Sequence, residues 1–361
     1  MDRATDCTII TDQTALGEAF VPNRLPVRDA QSKEIALCLS PLLQRRQPVH
    51  LWLHGKPGAG KTASIVNAMN ALRDKGDVQG VLVDCWQKAT FFEVIDDIVT
   101  QLCILRAEEH RTTVKLDKLR RHLKGRPFLI VLDDIDHVAP AERAATICNL
   151  QSIANVGIVC ISGSEQAFLE LDSRVKSRLN PYIVGFPSYT QDELVEILRH
   201  RAGAALAYGC YSDDVLTRIA CMAAGDARIA VGTLRMSAEL SEASGKSDLF
   251  VDDIERQRQA LHDAVSARLL QGLTEDHGML YRIVKERGEI LSGDLWREYL
   301  QRCVETGRKP LAARTFSNYA NRLVQAGLMA AEQARTKGKV RLFRIVTGNR
   351  GTRGTADAQP S

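Results

Sequence analysis

The sequence predicts an α/β fold in which helices cover both faces of a parallel sheet, with helical and basic segments following it. Three observations carry that prediction. Short apolar runs alternate with helical patterns up to Pro187, as parallel βαβ units do. A glycine-rich stretch, Gly55 to Thr62, separates the first such run from a long helical pattern. Beyond Pro187 the periodicity is helical until two short strand patterns near the C-terminus. At 361 residues the chain exceeds one ordinary core and suits two or three domains of roughly 100–200 residues each.

The elements follow in order. Residues 1–14 read as loosely ordered. Helical spacing of Ile35, Leu37, Leu39, Leu42 and Leu43 predicts a helix over 29–46. A strand at His50–His54 meets the glycine loop, and a helix runs from Lys61 to about Leu72. Further strands are expected at Gly80–Asp84, Phe128–Leu132, Val156–Ile161 and 181–186, with helices at Phe91–Leu105 and 140–154. Three helices, 191–207, 212–224 and 227–243, are broken near Gly209 and Gly225. A polar linker at 244–249 and a helix around 251–267 lead to a last unit. That unit reads as helices 275–287, 292–306 and 312–326, then strands 328–333 and 339–345 around Arg335-Thr-Lys-Gly-Lys339. Three helices and a basic hairpin are the order of a winged-helix domain. The Gly/Thr/Ala/Pro-rich tail 348–361 reads as disordered. There is no internal repeat.

Composition narrows the function classes. Hydrophobic residues make up 45% and charged residues 25%, the balance of a soluble globular protein. No apolar run is long enough to span a membrane, and the polar, acidic N-terminus lacks the order of a secretory signal. Nine scattered cysteines, with no C-x-x-C pair, read as buried free thiols in a reducing cytosol. The net charge of +4 is unevenly spread: residues 268–346 carry 15 Lys/Arg against 8 Asp/Glu, leaving the rest at −3. A basic module on a near-neutral body points to a polyanion partner.

Gly55-Lys-Pro-Gly58-Ala59-Gly60-Lys61-Thr62 fits the phosphate-loop pattern. Glycines let backbone N–H groups wrap an anion at a helix N-terminus. Lys61 then reaches the β- and γ-phosphates, and Thr62 holds Mg²⁺. Leu129-Ile-Val-Leu-Asp133-Asp134 is an apolar strand ending in two carboxylates. Asp133 completes the Mg²⁺ site. Asp134 stands where hydrolytic ATPases usually carry Glu. It is one methylene shorter, and a misplacement of about 1 Å can cost on the order of 100-fold in rate, so hydrolysis should be slow.

With these residues in view the chain resembles the AAA+ initiator clade: archaeal proteins related to origin recognition complex subunit one and its cell-division-cycle-six paralogue. The resemblance runs from about residue 18 to 346. It rests on Val21-Pro-Asn-Arg-Leu-Pro-Val-Arg28-Asp-Ala-Gln31, Leu82–Thr90, Asp172-Ser-Arg174-Val-Lys-Ser-Arg178-Leu179, Gly225-Asp-Ala-Arg228, Gly288-Glu-Ile and Pro310–Leu328. It implies an AAA+ P-loop ATPase core over 15–187, a helical lid over 188–250 and a winged-helix domain over 251–347. It implies ATP/ADP with Mg²⁺ as cofactors. The nucleotide set is Leu25, Pro26, Gly58, Ala59, Gly60, Lys61, Thr62, Ala63, Tyr189, Arg201 and Arg228. The opening segment is expected to pack on the adenine, Arg228 to sense the γ-phosphate, and Arg174 or Arg178 to reach a neighbouring subunit's nucleotide. Relatives usually carry Asn after the fourth strand to orient the hydrolytic water. Here Gly163 stands there, between Ser162 and Ser164. A hydroxyl could substitute.

In the last unit Phe316, Tyr319, Ala320, Leu323 and Val324 should face the core. Arg314, Ser317, Asn318, Asn321 and Arg322 then lie opposite, with side chains suited to base edges. Arg335, Lys337, Lys339 and Arg341 suit phosphates. The resemblance adds a second DNA contact near Lys88 and Thr90, although Phe91 and Phe92 could equally be core there. The expected function is an ATP-dependent initiator that binds double-stranded origin DNA, oligomerises with itself or a paralogue, and recruits a minichromosome-maintenance-type helicase. It would be cytoplasmic and associated with the nucleoid. The alternative is an ATP-bound, hydrolysis-poor regulator of transcription or plasmid copy number.

Overall fold

The computed structural model describes residues 8–17, 20–22, 24–76, 78–104, 111–254, 266–267, 270, 273–333 and 340–345, with Gln325 as backbone only. The chain divides into two compact units. One is Ala19–Ile197; the other joins Met1–Glu18 to Leu198–Ser361.

The first unit holds α1 (Asp29–Leu39), β1 (Leu51–Gly55), α2 (Lys61–Lys75), β2 (Gln79–Asp84), α3 (Phe91–Gln101), α4 (Thr112–Leu123), β3 (Phe128–Asp133), α5 (Pro140–Gln151), β4 (Val156–Ser162), α6 (Gln166–Leu169), α7 (Ser173–Leu179) and β5 (Tyr182–Phe186). The five strands form one parallel sheet in the order β2-β3-β4-β1-β5. Strand pleating divides their side chains between two cores. Phe128, Ile130 and Leu132 of β3 join the cluster formed with α3, α4 and α5, whereas Leu129 and Val131 join the one formed with α1 and α2. Both faces are therefore covered, and only the strand ends are left for a ligand.

Three differences from the sequence expectation have physical causes. The helix expected to 46 ends at Leu39 and tightens into a 3₁₀ turn, Ser40–Gln44, because Pro41 supplies no N–H for a further α turn. The helix expected to 105 stops at Gln101. Helix α4 escaped notice because basic residues surround its buried stripe of Leu116, Leu119 and Leu123. Three of the described cysteines are also not buried: Cys103 and Cys221 are exposed, and Cys148 is half-buried.

In the second unit, residues 8–17 are not loose. Ile9, Ala15 and Leu16 are buried, and Ile10 bridges Leu206. The Ile10 N–H also donates to Glu242 at 2.8 Å. These residues pack with the second half of α8 (Gln191–Ala205) and with α10 (Ala227–Ala243), against which α9 (Asp213–Ala223) lies. The C-terminal part runs α11 (Glu275–Arg287), β6 (Glu289–Leu291), α12 (Ser292–Glu305), α13 (Ala313–Gln325), β7 (Met329–Gln333) and β8 (Arg341–Ile345). Its sheet has three antiparallel strands, β6-β8-β7, rather than two; three residues of β6 are too few to show a period of two. Leu280, Ile283, Leu295, Tyr299, Phe316, Leu323 and Phe343 form its core. The expected helix 251–267, the residues 335–339 and the tail fall largely or wholly outside the described residues.

His50 supplies a pH prediction. It is buried, its Nδ1 accepts the Ile158 N–H at 3.1 Å, and burial holds its pKa below the ordinary value of 6.5. The folded state disfavours the imidazolium, so this contribution is complete above about pH 6.5 and falls as the pH drops towards the lowered value. The loss is at most about 1.4 kcal/mol per pH unit. Thermal melts at pH 7.5 and 5.5 should show a smaller acid loss in His50→Asn than in the parent.

Candidate nucleotide site and nucleic-acid interface

Strand β1 turns into α2 through three glycines with positive φ, and two of them have no room for a side chain. A Cβ on Gly55 would stand 2.2 Å from the Phe186 carbonyl oxygen, and one on Gly60 would stand 2.5 Å from the Tyr189 hydroxyl. Gly60 is left-handed at φ 90° and opens α2 with its free N–H groups pointing out. Lys61 is 7% exposed, and its ammonium donates to the carbonyls of Gly55 at 2.6 Å and Lys56 at 3.1 Å. The neighbouring Thr62 hydroxyl donates to Asp133 Oδ2 at 2.8 Å, joining the loop to the end of β3. Ala63 lies in the same first turn, half-buried.

Burial pushes the Asp133 carboxyl up, while the Thr62 hydrogen bond and the Lys61 charge pull it back. Asp134 is pushed up to about 7, first by burial, then by the carboxylates of Asp133 and Asp136. Its backbone is left-handed, φ 51°, and its N–H donates to Asp133 Oδ1 at 3.0 Å. Gly163 gives its N–H to Asp136 Oδ2 at 3.2 Å. Ser162 cannot stand in for the missing Asn. It is fully buried, its hydroxyl accepts from Trp52 Nε1 at 3.0 Å and donates to the Ser164 carbonyl at 2.7 Å. Ser164 is exposed.

Leu25 and Pro26 are half-buried, in a segment tied to α2 by the Asn67 amide donating to the Pro22 carbonyl at 2.8 Å. Tyr189 is buried, and burial pushes its phenol up. Two residues of this region escaped the sequence reading. Arg28 is buried and donates to the Ala59 and Pro187 carbonyls, while its neighbour Asp29 pairs with Arg24. Asp136 carries no motif of its own, and only its bond to Gly163 reveals it. Arg174 and Arg178 are exposed on α7, and neither has a carboxylate partner among the described residues.

In the second unit, Arg228 opens α10 beside its N-cap. Asp226 Oδ1 accepts the Arg228 N–H at 2.8 Å, and Arg228 Nη2 donates to Asp226 Oδ2 at 3.0 Å. Asp226 thus meets a cation that the helix N-terminus disfavours. Arg201 Nη1 donates to the Ala15 carbonyl at 2.9 Å.

Of the residues expected on DNA, Arg314, Ser317 and Asn318 are exposed on α13, whereas Asn321 and Arg322 are half-buried. Asn321 Oδ1 accepts from Arg341 Nη1 at 2.5 Å, so helix and strand are already joined there. Tyr319 turns inward and stacks on His277 at 3.9 Å. Arg335, Lys337 and Lys339 lie outside the described residues. In the first unit, the Thr90 hydroxyl caps α3 in a capping box with Glu93, Lys88 is half-buried, Phe91 packs on the core and Phe92 is exposed.

Among the described residues no group of three or more His, Cys, Asp or Glu could hold a metal ion. The donor pair of Thr62 and Asp133 beside a phosphate cradle does fit a magnesium–nucleotide complex, in which phosphate and water supply the remaining oxygens. No helix of the described residues is long and apolar enough to cross a membrane.

The cradle yields a prediction. Gly60→Ala forces a Cβ towards Tyr189 at a left-handed position, so the melting temperature should fall, and ADP affinity, measured by calorimetry well below that melt, should fall at least tenfold. Parent-like affinity would mean that the loop does not hold the phosphates.

Comparison with known proteins follows this geometry. Residues 24–161 match the AAA ATPase domain model, and residues 195–259 match the Cdc6 AAA+ ATPase-type lid domain model. ORC1-type DNA replication protein 1 of Halobacterium salinarum is 30% identical over 303 residues, covering 81% of this chain and 96% of that protein. The fold resembles that of the Aeropyrum pernix ORC1 protein solved in complex with DNA, with TM-score 0.76, 24% identity and 94% of each chain covered. Cdc6p of Pyrobaculum aerophilum matches with TM-score 0.65 and 25% identity, covering 94% of this chain and 95% of that one. An AAA+ ATPase core with its lid, and a relative matched over nearly its whole length, make this chain a member of the Orc1/Cdc6 family of ORC1-type DNA replication proteins.

Proposed function

We propose that this protein is a replication initiator that binds origin DNA under the control of bound adenine nucleotide. The observation that carries the reading is the joining of the glycine cradle to Asp133 through Thr62 at 2.8 Å, in a chain whose curated relative is a DNA replication protein. The near-complete coverage of that relative favours an initiator over a transcription or copy-number regulator.

The nucleotide reading assigns Gly58, Ala59, Gly60, Lys61, Thr62 and Ala63 to the phosphates, and Leu25, Pro26 and Tyr189 to the rest of the nucleotide. Lys61, now bonded to loop carbonyls, is free to turn to the β- and γ-phosphates when they arrive. Thr62 and Asp133 would hold Mg²⁺, which neutralises phosphate charge. Asp134 is the group placed to accept a proton from the attacking water. Its side chain, one methylene shorter than the usual Glu, holds the carboxylate back from the attacking water, so turnover is slow and the protein behaves as a switch. Arg228 and Arg201 serve the same nucleotide from the lid, and Arg174 or Arg178 serves that of a neighbouring subunit. ATPase assays should show Asp134→Glu hydrolysing faster, by about tenfold or more, because the longer carboxylate reaches further; a slower variant would refute the account.

The domain limits proposed are 15–187, 188–250 and 251–347, the last a winged helix. Its helix order and three-stranded antiparallel sheet support that assignment. The exposed face of α13 (Arg314, Asn318) reads base edges, with Asn321 and Arg322 at its side. Arg335, Lys337 and Lys339 hold phosphates, and Lys88 and Thr90 give the second contact. Recruitment of the replicative helicase, assembly with itself or a paralogue, and a place on the nucleoid complete the reading. Electrophoretic shift on the organism's own origin duplex tests it. Replacing Arg314 and Asn318 with Ala should cost on the order of 10- to 100-fold in affinity. Equal binding by the double variant, or no preference for origin over random duplex, would overturn the reading.

A further inference from the structure

Beside the phosphate loop lies a charge that the reading above leaves without a task. Arg28 is 2% exposed, and among the described residues it has no carboxylate partner. Its Nε donates to the carbonyl of Ala59, inside the loop, at 3.0 Å. Its Nη2 donates to the carbonyl of Pro187, just past β5, at 2.6 Å. The guanidinium lies 3.9 Å from the centre of the Tyr189 ring and 5.7 Å from that of Phe186. The residue before it, Val27, is β-branched yet left-handed, φ 65°. That conformation is strained and persists only where the surroundings impose it. A cation buried against carbonyls and rings alone is likewise expensive.

Both costs serve one connection. The guanidinium is a rigid planar fork, and its bonds are charge-assisted. One prong holds the loop that would take the phosphates; the other holds the segment 187–190, which leads directly into α8. Movement of the Ala59 peptide must therefore shift the Pro187 carbonyl or break a strong bond. Tyr189 adds a second tie, since its hydroxyl fills the space that a Cβ on Gly60 would need. We propose that Arg28 is a positioning residue that transmits occupancy of the phosphate loop to the 187–190 segment and the first turn of α8, a proposal that rests on the nucleotide site assigned above.

Amide hydrogen exchange of the full chain, with and without magnesium–ADP, tests this. In the parent protein ADP should slow exchange at 57–64 and also at 188–194. Arg28→Ala should bind ADP roughly tenfold more weakly, as loss of a charge-assisted bond implies. At saturating ADP it should protect 57–64 but no longer 188–194. Arg28→Lys, which keeps the charge without the fork, should regain part of the affinity and little of the response at 188–194. Parent-like protection of 188–194 in Arg28→Ala would overturn the proposal. So would a parent protein in which ADP protects the loop alone, a result that needs no variant to fold. If ADP protects neither segment of the parent, the nucleotide site itself is wrong and the proposal falls with it.

Discussion

The hydrogen bond from Thr62 to Asp133 crosses from the first turn of α2 to the end of β3, with β4 lying between β1 and β3 in the sheet. Its geometry requires the two strand ends to finish level, and the parallel registers of β1 with β4 and of β4 with β3 provide that. It also requires a loop without side chains at its tightest points, which Gly55 and Gly60 supply. A carboxylate at such a depth is costly to ionise. Thr62 and Lys61 offset that cost from the loop side, so cradle and carboxylate stabilise each other.

The carboxylates of Asp134 and Asp136 lie at the same edge. Asp134 is crowded by two further carboxylates, and the strand end that should carry an amide carries Gly163. The backbone N–H of Gly163 is engaged by Asp136, which moves a side-chain task onto a main-chain group. Asp134, Asp136 and Gly163 thus form one connected edge beside the loop.

Much of this was legible in the sequence because it is local. The strand–loop–helix around Lys61, the apolar run ending at Asp133 and the stripe of Phe316, Ala320 and Leu323 depend on neighbours within a few turns. What was not legible depends on distant partners. Arg28 lies in the opening segment expected near the adenine, and no local pattern shows that Ala59 and Pro187, 31 and 159 residues away, hold it. The docking of Ile9 and Leu16 has no local period to announce it. Strand β6 is too short to carry one, and α4 hides its apolar stripe under lysines and arginines.

The contact between Asp136 and Gly163 limits what position 163 can carry. A Cβ at 163 would stand 3.2 Å from Asp136 Oδ2, so any side chain added there presses on that carboxylate. The two positions are energetically linked. Placing an amide side chain at 163 therefore requires Asp136 to shift by a few tenths of an ångström.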